Sequence, residues 1–159
     1  MDENYKDYTL GLVLFDSVPV VLFLISGLLI YSHFSSGIFL ASVIAMFLGG
    51  ANKVLWKLIV VKDKKDVSIL TKAFRVLMFG GFGVMILSVI LRINQGVLGD
   101  LVRGFTSMPS MLLFITGIAG MCVMGYLGSH MDTSARSNWI EEAVNSASQL
   151  AVMIGLLLL

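Results

Sequence analysis

The sequence predicts an all-α integral membrane protein: a bundle of five transmembrane helices with a cytosolic amino terminus and a carboxyl terminus on the far side. Three observations predict it. Apolar residues make up 57% of the chain and charged ones 13%, whereas a soluble domain is roughly 45–50% apolar and ~25% charged. The apolar residues gather into five continuous runs, each near the ~20 residues a helix needs to cross a ~30 Å hydrocarbon layer. Lysine and arginine are divided very unevenly between the two sets of connections, the signature of a fixed orientation in a bilayer.

A soluble core of 159 residues could not hide this much apolar surface, because surface scales too steeply with volume at that size. The mean hydropathy of +0.93 therefore requires lipid as the solvent. Helix is the secondary structure that closes its own hydrogen bonds there. A β-barrel would need alternating segments, and these runs are continuously apolar.

The first span covers Leu10–Phe34. Asp2, Glu3, Lys6 and Asp7 precede it, an acidic start unlike the basic n-region of a secretory signal, so the span is expected to be retained. Within it Asp16-Ser17-Val18-Pro19 leaves two readings open. Asp16 or Ser17 caps a helix with Pro in its first turn, or the helix starts at Leu10 and Asp16 is buried above a Pro19 kink. The turn Ser35-Ser36-Gly37 leads into the second span, Ile38–Val61, and the charged run Lys62–Asp66 into the third, Ile69–Ile93.

A long connection opens at Asn94-Gln95-Gly96 and ends at Met108-Pro109; its apolar content (Val97, Leu98, Leu101, Val102, Phe105) suits a segment lying along the interface. The fourth span covers Met108–Leu127 and the fifth Asn138–Leu159, joined by residues 128–137. All five belong to one domain, residues 1–159, without internal repeats. Glycines Gly49, Gly50, Gly80, Gly81, Gly83, Gly117, Gly120 and Gly128 supply the small residues that let helices approach closely in lipid. They serve seams within the bundle or with a second copy in a larger membrane complex.

Alternating the spans puts Lys6, Lys53, Lys57, Lys62, Lys64, Lys65, Lys72, Arg75 and Arg136 at one end and Arg92 and Arg103 at the other. The basic end is therefore predicted to be cytosolic, in a plasma or inner membrane. Strongly polar residues within the spans then fall in the cytosolic half: Asp16, Asn52, Lys53, Lys57, Lys72, Arg75, Glu141, Glu142, Asn145 and Gln149. The far half is almost purely apolar.

The fifth span carries the densest signal. At ~100° per residue, Asn138, Glu142, Asn145 and Gln149 fall within a ~60° arc. A carboxylate and amides on one stripe should face protein or water, either as glue between helices or as a ligand site. Asn138 with Glu141 three residues on also resembles a capping box. Lys53 and Lys57 share a face. Lys57 is expected at the interface, and Lys53 either snorkels outward or pairs with Glu142 or Asp16. Lys72 and Arg75 suit interfacial anchoring, and the guanidinium of Arg75 could bind carboxylate or phosphate bidentately. The candidate ligand-binding or intramembrane polar cluster is thus Asp16, Asn52, Lys53, Arg75, Glu142, Asn145 and Gln149.

Several classes are excluded or unsupported. There is no basic arm for nucleic acid. Cys122, the single cysteine, rules out an intrachain disulfide or CxxC chemistry. His33 and His130 fall at opposite faces and cannot jointly ligate one haem, and the ten methionines are scattered as gap-fillers. No cofactor, metal or catalytic residue is expected. The pattern supports, first, a ligand- or lipid-binding or assembly subunit with a cytosol-facing polar cleft. A transporter or channel component for a polar solute is second. It lacks polar lining through the far half of the bilayer. A lipid-headgroup enzyme using Glu142 or Asp16 is third, without a nucleophile–base spacing behind it.

Overall fold

The computed structural model describes residues 7–92, 97–131 and 134–159. Asp2, Glu3, Lys6, Ile93, the Asn94-Gln95-Gly96 turn and residues 132–133 of the last connection lie outside the described residues. Among the described residues six helices follow one another: α1 (Leu10–Phe34), α2 (Gly37–Asp63), α3 (Ser68–Arg92), α4 (Val97–Thr106), α5 (Ser110–His130) and α6 (Ala135–Leu157). Among the described residues there is no strand. Four of them (α1, α2, α3 and α5) are long and apolar enough to cross a membrane. α6 has the length, 23 residues, but its amides and carboxylates dilute its hydropathy.

The boundaries follow local chemistry. α1 starts at Leu10 because the Thr9 hydroxyl accepts the Leu12 amide at 3.3 Å, which satisfies one of the free donors of the first turn. Asp16 therefore lies inside a helix that continues through Pro19, and the capping alternative is set aside. α2 starts one residue before its expected position, capped by Ser36, and ends at Asp63, followed by its C-cap Lys64 in the left-handed region, φ 54°. α6 starts at Ala135, because Ser134 Oγ accepts the Ser137 amide at 3.3 Å. Asn138 is therefore one turn inside the helix and is not its cap, contrary to the capping-box expectation.

The long connection is also more ordered than a loop. α4 is a short amphipathic helix. Phe105 packs edge-on against Phe114 with ring centroids 4.5 Å apart, and Gly104 lies against Leu159. α4 thereby covers the end of the bundle where α5 begins and α6 finishes. The opposite end, where α2 meets α3 and α5 meets α6, is called the basic end here.

The helices are arranged as a curved row, α3–α2–α1–α6–α5. Gly50 fits against Val20 of α1, and Gly81 against Met46 and the Ser42 carbonyl of α2. Gly117 fits against Val152 and the Ser148 carbonyl of α6. These are approaches only a residue without Cβ permits. Other glycines of the expected seams do not share this role: Gly80 and Gly83 have nothing within 4 Å of an added Cβ. The best-filled region lies away from the basic end. There Phe39 and Val43 are surrounded by Phe23, Leu24, Tyr31, Met85, Val89 and Phe105.

Candidate functional site

The polar half of the row is built from three helices. Asp16 is six residues into α1, Lys57 six residues before the end of α2, and Glu142 seven residues into α6. At ~1.5 Å per residue all three lie roughly 9–11 Å from the basic end, with Lys53 one turn deeper. Sequence spacing alone thus delivers them to one layer, and the packing of α2 and α6 on either side of α1 brings them together.

They form a closed quartet. Lys57 Nζ lies 3.1 Å from Asp16 Oδ1 and 3.3 Å from Glu142 Oε1. Lys53 Nζ donates to Glu142 Oε1 at 2.7 Å and lies 3.5 Å from Asp16 Oδ1. Two carboxylates and two ammonium groups sum to zero charge, the composition a low-dielectric interior tolerates best. Exposure differs sharply within the set: the side chains of Lys57, Asp16 and Glu142 are 1–2% exposed and that of Lys53 34%. The second oxygens, Asp16 Oδ2 and Glu142 Oε2, are buried without a donor.

Polar and aromatic contacts brace this layer. Asn138 Nδ2 donates to the Tyr8 hydroxyl at 2.7 Å, tying the start of α6 to the segment before α1. One residue on, the Trp139 ring sits 5.1 Å from that of Phe15. Trp56 Nε1 donates to Asp66 Oδ1 at 2.8 Å, which fastens the α2–α3 connection over the end of α2.

The structure thus joins three of the sequence-predicted residues, Asp16, Lys53 and Glu142, and adds Lys57, which the sequence assigned to the interface. That assignment is corrected: Lys57 reaches sideways into protein, because two carboxylates wait there. Its signal was the four-residue spacing from Lys53. The pairing of Lys53 with Glu142 or Asp16 occurs with both.

Asn145 and Gln149 do not enter the quartet but stand beside it. Gln149 is ~20° and Asn145 ~60° round α6 from Glu142, between the direction of α1 and that of α5, which Ser148 and Val152 mark. The outward stripe of α6 (Ala143, Ala147, Leu150) is exposed on the other side. Lys53 likewise points inward, between Gly49, which meets α3, and Gly50, which meets α1. It lies opposite the exposed Ile44, Leu48 and Leu55. Residues facing the concave side of a row are expected to be buried, yet Lys53, Asn145 and Gln149 keep intermediate exposure. These three polar side chains thus line the inward side of the row without being fully buried.

Asn52 lies ~100° from Lys53, on the outer flank beside α3, half-buried and apart from these three. Arg75 is exposed on α3. Helix phase puts it ~40° from Val89, which packs on the inward cluster. It is thus on the flank of α3 turned inward. Lys72 is exposed, and Glu141 is half-buried. No protein-family model matches the chain, and comparison with curated proteins and with solved structures gives no match.

Proposed function

We propose that the chain is a five-span membrane protein, amino terminus cytosolic and carboxyl terminus at the far face, that works by binding. A polar cleft opening toward the inner leaflet receives a ligand, a lipid or a partner segment, and α6 is the fifth span. The observation that carries this reading is the half-exposed inward trio of Lys53, Asn145 and Gln149, resting on a neutral quartet. Acyl chains cannot satisfy an ammonium and two amides at that depth, so the cleft calls for a polar occupant. α6 fits as a span because its carboxylate and amides face neighbouring helices and its outward stripe is apolar.

The quartet supports binding over catalysis. Its four charges are spent on one another across three helices, which leaves no free base beside a nucleophile. Transport is disfavoured by the far half, where Phe39, Val43, Phe23 and Phe105 pack together and the buried polar groups among the described residues are serine hydroxyls such as Ser26, Ser42 and Ser88, a sparse lining for a path.

Cysteine labelling tests the reading. In a Cys122→Ala background, Gln149→Cys and Asn145→Cys should react with a membrane-impermeant maleimide added from the cytosolic side, as should Lys65→Cys in the α2–α3 connection. If Lys65→Cys labels from that side while positions 145 and 149 stay inert, the cleft is refuted. If Lys65→Cys labels only from outside, the orientation is refuted. Solute flux in proteoliposomes containing this chain alone would replace binding by transport.

A further inference from the structure

The helix row has two ends, and they do not close on each other. α3 packs along α2, and α5 along α6 and the short α4; no extended contact joins α3 to α5 among the described residues. Both keep broad apolar exposure: Val76, Phe79 and Phe82 on α3, Ile115, Ile118 and Val123 on α5. The row is therefore open between α3 and α5, and the two helices that bound the opening are apolar where they are exposed.

Charge sharpens what can enter. The quartet is neutral in total, and Lys53 Nζ, with two oxygens around it, has a third proton to donate. Arg75, on the flank of α3 beside the mouth, is exposed and has no ion-pair partner among the described residues. Arg75 is seven residues from the start of α3, or roughly 10 Å in from the basic end, from where a long arginine side chain can reach up to the headgroups of that leaflet. The site thus offers one uncompensated positive charge with a forked donor geometry suited to phosphate. Behind it are the Lys53 ammonium and the Asn145 and Gln149 amides, and apolar walls stand where acyl chains would run.

Resting on the binding function above, we propose that the α3–α5 opening admits an anionic phospholipid of the inner leaflet. Its phosphate pairs with Arg75, and its remaining headgroup oxygens accept from Lys53 and Asn145, both roughly 15 Å in from the basic end. The acyl chains stay between α3 and α5.

Native mass spectrometry of the full chain released from vesicles of equal parts phosphatidylcholine and phosphatidylglycerol tests this. One phosphatidylglycerol per chain should be retained, at least tenfold over phosphatidylcholine. Arg75→Gln, a change at an exposed residue that the fold does not need, should lower that retention about tenfold. Lys62→Gln, at the same end but away from the mouth, should leave it unchanged. Equal retention of the two lipids, or an equal loss in both variants, would overturn the proposal, since either marks unlocalised attraction. If Gln149→Cys labels but phosphatidylglycerol is not retained, the lipid is wrong and the cleft stands; if Gln149→Cys is also inert, both fall.

Discussion

Removing Lys57 tests the energetics of the quartet most severely. Its Nζ contacts Asp16 Oδ1 and Glu142 Oε1 at 3.1 and 3.3 Å, contacts worth roughly 5 kcal/mol each at an effective dielectric of about 20. Burying each ion costs several kcal/mol in turn, so the intact quartet is close to break-even. Its deletion is not. Lys57→Met leaves two carboxylates, each 2% exposed, sharing Lys53 alone, and an uncompensated buried charge costs about 3–5 kcal/mol. Lys57→Met with Glu142→Gln returns the site to one carboxylate and one ammonium and should recover more than half of that loss. Lys53→Met should cost less than Lys57→Met, because its side chain is 34% exposed and its neighbourhood is open. The assay is reversible unfolding in bicelles, with the two single variants and the double forming a thermodynamic cycle. A loss below about 1 kcal/mol for Lys57→Met, or single-variant losses that simply add in the double, would refute the quartet as a coupled unit.

Three further expectations rest on separate contacts. Gly117→Ala should destabilise by about 1–3 kcal/mol, because the added Cβ would come 3.0 Å from the Ser148 carbonyl oxygen. Gly125→Ala, with nothing within 4 Å, should be neutral or stabilise by up to about 1 kcal/mol through helix propensity. The same unfolding assay ranks them. Tyr8→Phe and Asn138→Ala each break the 2.7 Å bond between α6 and the segment before α1. Each should cost about 0.5–1.5 kcal/mol, the net worth of one hydrogen bond, because Asn138 Nδ2 keeps the Ser134 carbonyl at 3.1 Å, and the double variant should cost less than the sum. Trp56→Phe removes the bond to Asp66 at a cost of about 0.5–1.5 kcal/mol, and hydrogen exchange should show faster opening in the α2–α3 connection.

The helices were the most legible feature, because lipid forces continuous apolar runs to be helical and a run's length fixes its span. Leu10–Phe34 was readable residue for residue, although its interior Pro19 and Asp16 allowed a second start; Thr9, a hydroxyl one position before the run, settles it. α4 was missed as a helix because ten residues of mixed polarity resemble an interfacial loop in composition. Only its packing, through Phe105 and Gly104, distinguishes it. Asn138 was misassigned because Ser134 and Asn138 are both good caps and only the fold supplies Tyr8 as an alternative partner.

Sequence by itself determined that the polar groups share one half of the spans, since depth follows from counting residues along a helix of fixed rise. It placed Asp16, Lys53 and Glu142 in one layer and left their mutual distances open, because helical phase is known only relative to each helix's own axis. Tertiary structure decided the rest. The small residues at Gly50, Gly81 and Gly117 set which helices touch. That order turns Lys57 away from the interface and into two carboxylates, and it leaves α3 and α5 as the unclosed ends of the row. Whether a lysine snorkels or pairs is decided by what stands opposite it, and a linear sequence does not contain that information.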